Sequence, residues 1–83
     1  MTKIEVLEIF YSADRALTPD SVGRRIRRYR RRCSVYSYLL RLSQQGLLER
    51  ARIGNSLAYR LTRRGVDRLF YLRKKEKTLE QRP

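Results

Sequence analysis

The chain has 83 residues, of which 21 are Lys or Arg and eight are Asp or Glu, giving a formal net charge of +13 with no histidine. That length allows one small domain with a marginal core, which favours an oligomer, and the charge repels itself unless a polyanion or solution counterions neutralise it, with DNA, RNA and an anionic membrane as candidate partners. No apolar run approaches the roughly 18 residues of a spanning helix, no secretory pattern opens the chain, and Cys33 alone makes no internal disulfide, so a cytoplasmic protein without a metal is expected.

Thr2 followed by Glu5 makes a capping box, and Ile4, Leu7, Phe10 and Tyr11 recur at helical spacing, so a first helix is expected over Lys3 to Ser12. Val6 and Ile9 widen its apolar stripe. Thr18-Pro19-Asp20 is a start signal: a capping hydroxyl, a proline at the first helical position and an acid suited to the helix dipole. A second helix follows with Val22, Ile26 and Tyr29 on one side, Arg24, Arg25, Arg27 and Arg28 on its flanks, and Leu17 stapling its start.

Tyr29 to Ser34 must hold a turn but contains no Gly, Pro, Asn or Asp. Two arrangements stay open: a tight turn among Arg30, Arg31 and Arg32, or Ser34 capping a third helix behind a basic connector. One continuous helix from Pro19 to Gln45 is disfavoured, because the six-residue step from Tyr29 to Val35 breaks the phase of the stripe. Val35, Leu39 and Leu42 then form one apolar face at i, i+4 and i+7, and Gly46 is a left-handed stop.

Leu47 to Ile53 reads as a strand, Gly54-Asn55 as a two-residue hairpin turn, and Ser56 to Leu61 as the returning strand, with Leu57, Tyr59 and Leu61 on one face and Ala58 and Arg60 on the other. Thr62 caps a last helix with Val66, Leu69, Phe70 and Arg73 as its stripe and Leu72 beside it. Residues 1–73 form the domain, and 74–83 read as a basic, polar tail that frays.

This order of elements, α+β and mainly helical, resembles the winged helix-turn-helix regulators, in particular compact members similar to the MarR, PadR and ArsR groups. The resemblance spans Thr2 to Leu72. It rests on Val35, Leu39, Leu42, Gly46 and Leu47, on the closing Leu61-Thr62-Arg63-Arg64-Gly65, and on the Leu17-Thr18-Pro19 start. Arginines stand where the family commonly has Ser, Thr or Gly ahead of the recognition helix. No added ligand-binding segment is present, so neither a cofactor nor a small-molecule effector is expected.

The resemblance implies a homodimeric regulator of transcription, a repressor acting on double-stranded DNA. About 100° per residue sets Cys33, Ser37 and Leu40 opposite the apolar face, flanked by Ser34, Tyr36 and Arg41, as the side for the major groove. Arg30, Arg31 and Arg32 suit phosphates at the helix start, and Arg50, Arg52, Asn55 and Arg60 suit a wing that follows the backbone and the adjacent minor groove. With 17 arginines and four lysines, the basic residues favour forked hydrogen bonds to phosphates and guanines.

Tyr59 reads as core, most other tyrosines read as core or interface residues, and Cys33 reads as a small packed or half-exposed side chain before a redox switch. The apolar surplus of Val6, Ile9, Phe10, Val66, Leu69, Phe70 and Leu72 is the expected dimer interface. Two other functions fit the charge: a chromatin-organising or ribosome- or RNA-associated protein without sequence preference, and an adaptor for an acidic protein. An enzyme is disfavoured, since there is no imidazole, no phosphate-cradling Gly-rich loop and no acidic cluster.

Overall fold

A computed structural model describes residues 2–26 and 32–80. It is an α+β fold, mostly helical: α1 (Lys3–Ala13), α2 (Pro19–Arg25), α3 (Arg32–Gln44), β1 (Leu48–Ile53), β2 (Ser56–Leu61) and α4 (Arg63–Glu80). Among the described residues no helix is long and apolar enough to cross a membrane.

Threonine hydroxyls start three of the four helices. Thr2 Oγ1 accepts the Glu5 N–H at 3.2 Å, Thr18 Oγ1 accepts the Ser21 N–H at 3.2 Å, and Thr62 Oγ1 accepts the Gly65 N–H at 3.0 Å. Each satisfies an orphan donor of the first turn. α1 ends on Asp14 in the left-handed region (φ 52°), whose N–H donates to the Phe10 carbonyl at 3.1 Å. α2 ends where Ile26 turns extended (ψ 134°), which excludes one helix from Pro19 to Gln45. α3 already includes Arg32, so Ser34 lies inside the first turn and does not cap it. Arginine is a good helix former, and nothing in Arg32-Cys33 obstructs an earlier start.

α3 stops at Gly46 (φ 79°), with the Leu47 N–H donating to Leu42 O and the Gly46 N–H to Ser43 O, both at 3.0 Å. This is the Schellman arrangement, closed by burial of both Leu42 and Leu47. Leu47 is thus spent on the helix stop, and β1 begins one residue later. β1 and β2 are antiparallel in the register Leu48↔Leu61 to Ile53↔Ser56, joined by Gly54-Asn55. Gly54 carries the positive φ of 63° and Asn55 does not, as in a type II′ turn.

The core gathers Val6, Leu7 and Phe10 of α1, Leu17, Val22 and Ile26 around α2, Val35, Leu39 and Leu42 of α3, then Leu47, Leu48, Tyr59 and Leu69. Leu57 is an exception to the expected inner face of β2: it is 37% exposed and Ile53 is 48% exposed, because the hairpin projects past the helices toward its turn. Leu17 ties the chain ahead of α2 to β2 by two reciprocal 2.9 Å hydrogen bonds with Tyr59.

α4 packs on α1 and continues through Lys74 to Glu80, so the expected frayed tail is helical over those residues. Lys, Glu and Leu are good helix formers and outnumber the single Thr78 in this stretch, and the first breaker is Pro83. Residues 81–83 lie outside the described residues.

Candidate nucleic-acid interface

α3 is split cleanly by burial. Val35, Leu39 and Leu42 are 2%, 0% and 1% exposed, whereas Ser34, Tyr36, Ser37, Leu40 and Arg41 are exposed. A helix of period 3.6 that buries one row in the core presents the opposite row to solvent. That row holds two hydroxyls, a phenol and a guanidinium, which are donors suited to base edges or phosphates. Gln44 and Gln45, absent from the expected set, extend the exposed polar row toward Gly46.

Tyr38 stands between the two faces, half-buried against the core. Burial pushes its phenol above the ordinary value of 10.0, and the nearby Arg41 guanidinium offsets part of that rise. Of the expected backbone contacts, Arg30 and Arg31 lie outside the described residues, as does Tyr29; Arg32 opens α3 and Cys33 sits in its first turn.

The hairpin follows α3 through the Gly46 turn and packs on it through β1. Arg50 pairs with Tyr59 and Arg52 with Leu57, so both arginines share one sheet face, and both are exposed. Arg60 does not join them. It stands on the other face opposite Glu49, with Nη2 at 2.7 Å and Nε at 2.8 Å from Glu49 Oε1. Asn55 is exposed at the turn. Arg24 and Arg25, in the last turn of α2, are further exposed cations that the expected set omits.

Thr62 and Gly65 hold this assembly to α4. The Thr62 hydroxyl is 2.7 Å from the Gly46 carbonyl and 3.0 Å from that of Leu47, while its backbone N–H donates to Leu47 O at 3.1 Å. Gly65 is buried against the same turn: a Cβ there would overlap the Leu47 carbonyl oxygen and come within 2.7 Å of Leu61 Cδ1. The close approach explains the glycine.

The expected dimer interface needs correction. Val6, Phe10 and Leu69 are 0%, 1% and 0% exposed within a single chain, so they belong to its core. Ile9, Val66 and Leu72 are half-buried, and Phe70 is exposed. Tyr11, Tyr36 and Tyr71 are exposed too: Tyr36 on the side of α3 expected to face DNA, Tyr11 and Tyr71 outside the core. Tyr11 and Phe70 meet edge to face at 5.5 Å, and the Arg73 guanidinium lies 5.6 Å from each ring while its Nε donates to Glu8 Oε1 at 2.9 Å.

An open cleft of about 190 Å³ lies between α1, β2 and α4, bordered by Phe10, Tyr11, Arg15 and Arg60. It is smaller than the ~300 Å³ at which ordinary ligand pockets begin. Compared with family models, with curated proteins and with solved structures, the chain has no match.

Proposed function

We propose that this protein is a sequence-specific double-stranded DNA-binding regulator of transcription, a repressor of the winged helix-turn-helix kind. α3 is its recognition helix in the major groove, and the β1–β2 hairpin is its wing on the backbone and adjacent minor groove. The observation that carries this reading is the division of α3: a fully buried apolar row beneath an exposed row of Ser34, Tyr36, Ser37 and Arg41. The exposed Arg50 and Arg52 on the adjoining strand, and the +13 charge, add to it.

The protein acts as a homodimer, with two α3 helices about one DNA turn apart (~34 Å) on an inverted repeat. Its mechanism is occlusion of a promoter in the cytoplasm. Ile9, Val66, Phe70 and Leu72 remain as apolar positions for the interface.

Selection from a random duplex library at near-physiological salt tests the reading. Enrichment of an inverted repeat with half-sites about ten base pairs apart is expected. Recovery with no enriched sequence would replace the regulator by a non-specific chromatin or RNA binder, and no recovery would replace DNA by an acidic protein partner. Sedimentation at micromolar concentration checks the dimer separately.

A further inference from the structure

We propose that the end of the β1–β2 hairpin is an apolar wedge: Ile53 and Leu57 enter the minor groove beside the half-site and bend the duplex, which makes the flank a determinant of sequence preference. This rests on the reading of α3 and the hairpin as a duplex-DNA surface. Residues 52–57 are exposed without a break. Ile53 and Leu57 are 48% and 37% exposed, whereas Ala58 and Tyr59, the next residues of β2, are 0% and 2% exposed. The register puts Leu57 beside Arg52 on one face and Ile53 beside Ser56 on the other. The end of the ribbon thus carries one bulky apolar side chain on each face.

Neither side chain serves the core or packs against its edge. An antiparallel ribbon with one buried face keeps its apolar residues on that face and polar ones outside. Strand preference accounts for the β-branched Ile53 and leaves Leu57 unexplained.

The surroundings select the occupant. No acid lies between Glu49 and Asp67 in the sequence, and among the described residues neither Arg50 nor Arg52 has a carboxylate partner. A second copy, itself at +13, is repelled by such a cationic frame. Binding to an anionic membrane scales with the apolar area buried, and two side chains supply little. Leucine and isoleucine are, by contrast, wedges that kink a duplex from the minor groove, by roughly 20–90°. The hairpin is also continuous with the exposed row of α3, because β1 follows that helix through the Gly46 turn and packs on it. A B-form minor groove is about 6 Å wide, so the side chains enter and the ribbon stays outside. Unstacking costs least at TA and CA/TG steps, and flanks with those steps are preferred although no hydrogen bond reads them.

The test uses the full chain and a duplex about three turns long that carries the selected site, with donor and acceptor dyes at its ends. Binding is expected to raise energy transfer, and to be about tenfold tighter with a TA step at the flank than with a stiff A-tract there. Ile53→Thr/Leu57→Thr keeps strand-forming residues and every arginine; it should abolish both the bend and the flank preference while the salt slope stays the same. An unchanged urea midpoint verifies its fold. A straight duplex in the complex of the unaltered protein would overturn the proposal, as would a bend and flank preference undiminished in the variant. If the bend persists and the variant instead loses the sedimenting dimer or adhesion to phosphatidylglycerol vesicles, the patch belongs to a second copy or to a membrane. Where selection enriches no site, a duplex of arbitrary sequence still reads the bend. Failure of the unaltered protein to bind any duplex is a separate result, and it rejects the DNA reading itself.

Discussion

Glu49 and Arg60 face each other across the hairpin, and two guanidinium nitrogens of Arg60 converge on one oxygen of Glu49 at 2.7 and 2.8 Å. Both side chains are more than half exposed, so the pair adds only about 0.2–1 kcal/mol to stability. Its larger effect is to occupy a cation that a phosphate would otherwise take. Glu49→Gln is expected to tighten DNA binding about threefold at low salt and to steepen the salt slope by about 1. Fluorescence anisotropy over a salt series measures both, and an unchanged slope would show that Arg60 never meets a phosphate.

Gly65 offers a sharper test of the fold. With a carbonyl oxygen and a leucine methyl occupying the place of a Cβ, Gly65→Ala must push α4 away from the Gly46-Leu47 turn. A loss of about 3 kcal/mol is expected, at the upper end of overpacking costs. Thr62→Val removes the cap and the hydroxyl bond to Gly46 and should cost about 1–2 kcal/mol. Urea denaturation of both variants checks the order.

Tyr38 gives a pH dependence with a definite sign. Burial raises its folded value above 10.0, so the unfolded chain gives up this proton first as the pH rises. The contribution of Tyr38 is therefore complete below pH 10.0 and is lost as the pH climbs through the higher folded value. Melting temperatures between neutral pH and the far alkaline side should fall more steeply for the unaltered protein than for Tyr38→Phe. Parallel curves would mean that the phenol is as well solvated in the fold as outside it.

Substitutions on α3 and the hairpin should separate reading from gripping. Arg52→Ala is expected to weaken all duplexes alike and to lower the salt slope by about 1. Ser37→Ala should change the selected sequence more than the slope. If both variants act only on the slope, the exposed row of α3 touches phosphates and reads no bases.

Leu57 and Leu39 have the same side chain in opposite surroundings, 37% and 0% exposed. Leu57→Ser is expected to stay within about 0.5 kcal/mol of the parent. Leu39→Ala should cost about 2–5 kcal/mol through the cavity it opens. Chemical denaturation of the two measures how far the core extends along the hairpin.

The features legible from residues alone are those decided within a few positions of themselves. Thr2, Thr18 and Thr62 cap because a hydroxyl one step ahead of a helix reaches only local N–H groups. Gly46 and Gly54 take positive φ because no side chain opposes it. The exposed row of α3 follows from the period of Val35, Leu39 and Leu42 in the same way. What depends on distant neighbours was not legible. Val6, Phe10 and Leu69 become core and not interface because α1 and α4 meet at one angle among several that the apolar surplus allows. Arg60 could be assigned to Glu49 only once the strand register was known. The start of α3 escaped because arginines form helix and turn alike, and the length of α4 because a charged tail and a charged helix share a composition.

The Leu17–Tyr59 bonds cover the second side of β2 at Tyr59. The opposite margin of the sheet is that of β1, where Glu49, Arg50 and Arg52 are exposed. Charged residues on a short margin discourage docking of a further chain edge to edge. A protein handled at high concentration is thereby guarded against fibre growth from this margin, although Ile53 and Leu57 leave apolar surface exposed close by.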